Sequence, residues 1–323
     1  MVIPSAQHRI RLAGAHLSDG RVQMWRRTRS DQPFSTCWQT HVNDPESYNA
    51  WRPATEEGFS DEVFQHHLPA AAVRMPDGRA QVWAIEAQQG LLKSATKAST
   101  DPDADWQHLG RSPFTDAYVH TAAAAITPGD PRIVQLWAVT SNDSLITTQY
   151  RPFVGWSQWK AWSNLGSIFR VFATQTGRGI RVWAGGLPGG QWVTAHSAFT
   201  ANNTNQWSTF EPWLPSGLHM AAAPLPDGRL QVWGGTDNKI FTRWQIPPNF
   251  SWTPWAEEAS LPTRYRQILS LYAKRQPDGR LHLWALAGPA DWSEHPPSLP
   301  VVTFSRWKVD AHPDADWTPW EVH

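Results

Sequence analysis

One phrase constrains this chain more than any other: Asp-Gly-Arg, three residues, then Trp. It occurs as Asp19-Gly20-Arg21 before Trp25, Asp77-Gly78-Arg79 before Trp83, Asp227-Gly228-Arg229 before Trp233 and Asp278-Gly279-Arg280 before Trp284. Looser copies run from Pro131-Arg132 to Trp137 and from Gly179-Ile180-Arg181 to Trp183. The six tryptophans are separated by 58, 54, 46, 50 and 51 residues. Self-similarity at a fixed spacing of this length marks a repeat architecture, in which one supersecondary unit is copied along the chain.

Each unit divides into four short strands. In the fifth, LHMAAAPL leads through the turn PDG into RLQVWGG, then through TDN into KIFTRWQI, and ends on WTPWAEE. Pro-Asp-Gly between two apolar runs is a hairpin signal: Pro presets φ, Asp bonds its own backbone, and Gly takes the positive φ. In RLQVW, Arg229, Gln231 and Trp233 point to one face while Leu230 and Val232 point to the other. A sheet with bulk on both faces cannot be buried alone, but copies packed radially bury one another and a closed ring leaves few edges. The expected fold is all-β, a six-bladed β-propeller of four-stranded antiparallel blades over residues 1–323, with seven blades as the alternative. The approximate units are 5–57, 63–110, 115–166, 167–214, 217–258 and 264–321. Tyr265 to Lys274 has helical character by composition, and its phase ahead of Pro277-Asp278-Gly279 assigns it to a strand.

Composition excludes several functions. Lys plus Arg equals Asp plus Glu at 28 each, so the net charge is zero and nucleic acid, which is held by clustered cations, is not an expected partner. No apolar run reaches membrane-spanning length, so membrane insertion is not expected. The N-terminus MVIPSAQHRIRL lacks a basic stretch followed by an apolar one. The expectation is therefore synthesis in the cytoplasm without a signal peptide, with release by lysis or an unconventional route left open. Homodimerisation is also left open. The single cysteine, Cys37, excludes an intramolecular disulfide and reads as a small buried hydrophobe. The 22 tryptophans, with 27 Pro and 21 Gly, fit short strands joined by many turns.

With these motifs laid out, the segment GRLQVWGGTDNKIFTRWQIPPNFSWTPWAEE (228–258) resembles a repeat of the PLL-like fucose-binding lectins of bacteria and the related tectonin-type propellers. Their units run as DGRLEVF, a T-D-N or T-D-G turn, a tryptophan-bearing third strand and a closing W-x-x-W. Asp143-Ser144-Leu145 through Trp156, Trp159 and Trp162 is similar, and the likeness extends unit by unit over the chain. It implies a non-enzymatic, multivalent lectin without a cofactor. The implied ligands are terminal monosaccharides of glycans, of the fucose or O-methylated class, held in Trp-lined grooves between blades. Two departures stand out. The PLL-like lectins have seven blades, and the six-bladed fungal fucose lectins hold the sugar hydroxyls with an arginine and a glutamate on adjacent strands. The matching region of unit five offers Lys239, Thr242 and Arg243, with no glutamate.

A pyranose presents a face of C–H groups and an edge of hydroxyls, so it needs a flat aromatic ring and a few fixed donors and acceptors. The anchors Trp25, Trp83, Trp137, Trp183, Trp233 and Trp284 lie mid-strand and read as inter-blade packing. The candidates for sugar contact are Trp156, Trp159, Trp162, Trp207, Trp213, Trp244, Trp252, Trp255, Trp307, Trp317 and Trp320, with Arg243 beside Trp244 as the hydroxyl donor. For these tryptophans the residues alone leave contact and packing open. Units one and two are degenerate, offering Trp51 with Arg52 and Trp106 without a second Trp, so fewer than six working sites are expected.

A competing reading places a metal-dependent or other enzyme site at the channel mouth. His8, His66, His120 and His219 fall at related positions before the small-residue strands, where four imidazoles converging on an axis could hold a transition metal. Arg170 and Arg266 stand at the corresponding places of the other two units. No matching second carboxylate accompanies the histidines, and no nucleophile elbow, phosphate loop or His-Glu-x-x-His motif is present. A protein-docking propeller is the third reading. It differs in that its docking face would belong to one part of the ring.

Overall fold

The computed structural model describes residues 11–323 apart from 29–33, 45, 55–66, 87–89, 102–103, 112–117, 128–129, 164–167, 169, 177–178, 188–190, 200–204, 209–210, 214–218, 249, 290–299 and 313. Among these residues there is no α-helix, and the strands form six antiparallel sheets spanning 11–53, 67–111, 119–163, 170–213, 219–260 and 267–322. These are blades 1 to 6. In each, an inner strand pairs with a second, the second with a third, and the third with an outer strand; in blades 3, 4 and 5 the outer strand is split into two short pieces.

Each inner strand packs on the next in chain order, and that of blade 6 returns to that of blade 1, so the ring closes at six blades. This settles the blade number against the seven-blade alternative. Gln267–Arg275 is the inner strand of blade 6, as its phase before the turn requires.

The repeated turn works as its residues demand. Asp227 accepts from the Arg229 backbone N–H at 3.1 Å and from Arg229 Nε at 2.6 Å. The same exchange recurs at Asp19–Arg21, Asp77–Arg79, Asp130–Arg132 and Asp278–Arg280. Gly228 sits at φ 83°, a left-handed conformation that only glycine adopts without strain. Arg229 then donates from Nη1 to the carbonyl of Gln245 on the third strand, tying the turn to its blade.

The six anchor tryptophans are at most 2% exposed. Directly opposite each, on the third strand, stands a hydroxyl residue: Thr36, Ser94, Thr147, Thr194, Thr242 and Ser305. The Thr242 hydroxyl donates to the Val232 carbonyl at 3.0 Å and accepts from Gln231 Nε2 at 3.1 Å. Thr36 with Gln23 and Thr147 with Gln135 do the same. In these three blades the Gln-x-Trp of the second strand thus meets a partner for its buried amide nitrogen, which would otherwise be costly.

Blade meets blade through aromatic edges. Trp106 stands against Trp25 at 5.7 Å and 81°, Trp156 against Trp83 at 5.8 Å and 88°, Trp207 against Trp137 at 5.9 Å and 83°, and Trp317 against Trp233 at 5.9 Å and 84°. Tyr48 meets Trp284 at 6.1 Å and 84° to close the ring. In the remaining gap Trp252 and Trp255 share a cluster with Trp183. Edge-to-face rings at these distances contribute beyond the area they bury.

Trp137→Ala is therefore expected to cost about 3–5 kcal/mol in urea unfolding. A loss under about 1 kcal/mol, typical of surface changes, would contradict the anchor role.

Candidate functional site

Alternation along the third strand sorts the candidate residues between gaps. Thr242 and Trp244 share the face of blade 5 that carries Trp233, while Arg243 lies on the opposite face, paired with Val232. Val232 packs with Trp183 of blade 4, and Trp233 with Trp317 of blade 6. Arg243 therefore belongs to the gap between blades 4 and 5, and Trp244 faces blade 6. The expected pairing of Arg243 with Trp244 in one site does not occur, because neighbours on a strand point apart.

At the position of Arg243 the six third strands carry Cys37, Ala95, Thr148, Ala195, Arg243 and Arg306. Arginine stands there only in blades 5 and 6. The Arg306 guanidinium lies 4.8 Å from the ring centre of Trp317 and 5.3 Å from that of Trp320. Facing it from blade 5 is Glu258, whose Oε2 accepts from Trp233 Nε1 at 3.0 Å. Glu258 Oε1, Arg306 Nε and Trp320 Nε1 are all buried without a hydrogen-bond partner.

The charges of this gap are held out of water. Burial raises the Glu258 carboxyl above its ordinary range, a rise moderated by the charge of Arg306 and the bond from Trp233. Burial lowers Arg306 and Lys308, and Glu258 partly offsets both. Lys308 Nζ lies 5.4 Å from the Trp317 ring and donates to the Ala315 carbonyl.

Sequence reasoning missed both Arg306 and Glu258. It sought an acid on the third strand, whereas Glu258 is on the outer strand three residues beyond Trp255. The pairing of Phe241 with Glu257 and of Ile240 with Ala259 skips one residue, and that bulge turns Glu258 into the gap. Glu257 instead meets Lys239 at the surface, at 2.7 Å. The adjacent Glu257-Glu258 after Trp-x-x-Trp, present in no other unit, was the available signal.

The other gaps differ. Between blades 4 and 5, Arg243 lies 5.3 Å from Trp252 and 5.5 Å from Trp255, and Arg181 lies 5.4 Å from Trp252. The outer strand that would supply an acid there, Glu211–Trp213, has its side chains, including that of Trp213, outside the described residues. Between blades 3 and 4 the bulge position is taken by Trp162, which meets Trp207 at 4.6 Å and Trp137 at 6.2 Å, so rings occupy the place of Glu258. Between blades 2 and 3, Trp156 and Trp159 pack on the apolar cluster and the Thr148 hydroxyl donates to the Ser157 carbonyl. Trp307 is buried edge-on to His282 at 5.7 Å. Between blades 6 and 1, Arg26 stacks 4.0 Å from Trp51 and bonds Thr303 and the His323 carbonyl. Cys37 in this gap is buried, which pushes its thiol up.

At the axis, His120 and His219 lie on inner strands, and burial lowers His120. His8 and His66 lie outside the described residues. Among the described residues no three His, Cys, Asp or Glu side chains come together as a metal site.

No protein-family model and no curated protein matches this sequence. Solved structures match in fold. AofleA from Arthrobotrys oligospora aligns at TM-score 0.64 and 11% identity, over 98% of this chain and 86% of its own. BP39L lectin from Burkholderia pseudomallei aligns at TM-score 0.59 and 15% identity over 99% of both chains. The Aleuria aurantia lectin, described as a six-bladed β-propeller with a novel fucose recognition mode, aligns at TM-score 0.57 and 13% identity over 98% of this chain and 94% of its own. At these identities the likeness is one of fold.

The raised Glu258 carboxyl has a consequence for stability. A carboxyl whose folded value exceeds its unfolded value binds protons more tightly when folded, so its contribution is present in acid and lost as pH rises through the folded value. Glu258→Gln is expected to be more stable than the parent at neutral pH, with the difference vanishing below the ordinary carboxylate range. Urea midpoints measured across pH check this; equal midpoints at every pH would contradict it.

Proposed function

We propose that the chain is a carbohydrate-binding lectin, acting without catalysis, with its principal site in the gap between blades 5 and 6. The observation that carries this reading is the convergence of three buried, unpartnered polar atoms, Glu258 Oε1, Arg306 Nε and Trp320 Nε1, beside the planes of Trp317 and Trp320. A buried polar atom left unpaired costs free energy, and a ligand carrying both donors and acceptors relieves all three. Sugar hydroxyls both donate and accept, so one pyranose edge serves the carboxylate and the guanidinium together while its C–H face lies on a ring.

Several features support the class. The Aleuria aurantia lectin, which shares the fold, is fucose-specific. The repeat motif favours the PLL-like and tectonin-type propellers, with the six-blade count on the tectonin side. Fucose, or an O-methylated sugar of similar shape, fits a site with one guanidinium and one carboxylate. The gap between blades 4 and 5, with Arg243, Trp252 and Trp255, is the second site, so multivalency comes from two gaps rather than six. Avidity then depends on a ligand that presents several termini. The partners are glycans or glycoconjugates.

A glycan array probed with the labelled protein, with and without EDTA, tests the reading. Binding to a coherent set of terminal sugars, unchanged by chelation, is expected. Arg306→Ala and Glu258→Gln are each expected to weaken it by about tenfold or more, the scale of a lost charge-assisted hydrogen bond. Binding that survives both substitutions, or no binding at all, would overturn the site.

A further inference from the structure

The boundary between blades 6 and 1 closes the ring, and three imidazoles line it from the inner strands to the outer edge. On the inner strand of blade 1, Gly14 and His16 share a face. A Cβ at Gly14 would meet the Tyr272 ring of blade 6, so that face looks onto blade 6. His16 Nε2 is buried with no hydrogen-bond partner. On the second strand of blade 6, His282 is fully buried and shares the face of Trp284 that Tyr48 of blade 1 covers. It stacks on Trp284 at 3.6 Å, with the Tyr48 ring at 5.8 Å. Farther out, His323 lies 6.3 Å from Tyr48, and its Nε2 shares a hydrogen bond with the Ser305 hydroxyl at 2.8 Å.

The place of His282, two residues before the anchor, is held by Gln23, Gln81, Gln135 and Gln231 in blades 1, 2, 3 and 5. In three of these the amide nitrogen meets the hydroxyl on the facing third strand. In blade 6 that hydroxyl belongs to Ser305 and is turned to His323. Both ring nitrogens of His282 are left buried without a partner, as is the Tyr48 hydroxyl. A neutral imidazole is tolerated there, whereas an imidazolium with two buried, unanswered N–H donors is not.

The charges that act on the three imidazoles are all positive. Burial, then Lys274, Arg74 and Arg275, holds His16 well below the usual imidazole range. Burial, then His323 and Arg280, does the same to His282, and burial followed by Arg26 lowers His323. Burial pushes the neighbouring Tyr48, Tyr272 and Cys37 up, so none of them supplies an anion. Of the carboxylates on this side, Asp278 is paired with Arg280, and Glu321 is raised by burial and then by Glu46.

We propose that the boundary between blades 6 and 1 is an acid-sensitive seam, at which protonation of His16, His282 and His323 parts the two blades and opens the ring. Blade 1 is built from 11–53 and blade 6 from 267–322, with no strand exchanged between them, so parting them breaks no sheet. The bonds given up include Tyr272 hydroxyl to the Gly14 carbonyl at 2.7 Å, Leu12 N–H to the Ser270 hydroxyl at 3.3 Å and Arg26 Nη1 to the His323 carbonyl at 3.1 Å. An imidazole whose folded value lies below its unfolded value contributes stability above about pH 6.5, and that contribution is lost as pH falls from there towards the folded value. Each proton taken up on opening shifts the equilibrium by about tenfold per pH unit in that window. Lys274, pushed down to about 8 by burial and then by Arg74 and Arg275, is already charged in that window. Glu258 acts in the opposite sense and cancels when the parent is compared with a histidine variant. The seam does not rest on the sugar-binding reading.

Hydrogen exchange of the unmodified protein at about pH 7.5 and about pH 5.5, corrected for intrinsic rates, tests it together with urea midpoints over the same range. Acid is expected to strip protection from Arg11–His16, Val22–Arg27, Gln267–Arg275 and Leu281–Gly288 before the strands of blades 3 and 4. His282→Gln, which restores the residue of four other blades, is expected to flatten the acid loss by one proton's share, about tenfold per pH unit in the unfolding constant. His16→Gln supplies the same comparison if that variant does not fold, since Gln175 holds the equivalent place in blade 4. Protection lost evenly around the ring, or an acid dependence unchanged by the substitutions, would overturn the proposal.

Discussion

Five of the six blade boundaries are sealed by a ring standing edge-on to a buried tryptophan, and the rest of the molecule is arranged around that contact. A blade of about fifty residues has two bulky faces and no core of its own, so neither face is stable until a neighbour covers it. The anchor tryptophan supplies a flat wall, and the outer aromatic of the following blade supplies the edge, five times with nearly the same distance and angle. Because the ring closes, no blade is left with an uncovered face. In blades 1, 3 and 5 the hydroxyl opposite the anchor pairs with the amide of the glutamine two residues before it.

This constraint explains why four of the outer tryptophans are partly taken up by packing. Trp106, Trp156, Trp207 and Trp317 are each engaged with an anchor, and a sugar can take only the space beyond them. On the proposed reading, what converts a packed gap into a site is the polar substitution next to the lock. Where the third strand carries Ala95 or Ala195 that position brings no polar side chain to the gap, and where it carries Arg306 opposite Glu258 it brings one half of a charged pair. On that reading packing and recognition share one set of positions, and the blades differ in which they serve.

The hairpins, the anchors and the blade number were legible from sequence because their signals are local: a turn of three residues, an alternation of five, a spacing near fifty. The site was less so. Arg243 and Trp244 are neighbours in the chain and strangers in space, since alternation sends them into different gaps. Glu258 is visible as an acidic residue, but only the bulge in its strand decides that it, and not Glu257, turns inward. Arg306 and Glu258 meet across a blade boundary from positions 48 residues apart (306 − 258), a pairing fixed by ring closure rather than by any local pattern. The outer tryptophans divided between contact and packing for the same reason.

On the proposed reading, recognition is confined to gaps where an arginine stands beside the tryptophans, and is best developed where that arginine faces Glu258. A crystal structure with the best-binding monosaccharide tests this most directly. The expected result is a sugar between blades 5 and 6, its hydroxyls within hydrogen-bond distance of Arg306 and Glu258 and its C–H face against Trp317 or Trp320. A sugar held instead against Trp156 and Trp159 between blades 2 and 3, with the Arg306 gap unaltered, would contradict it.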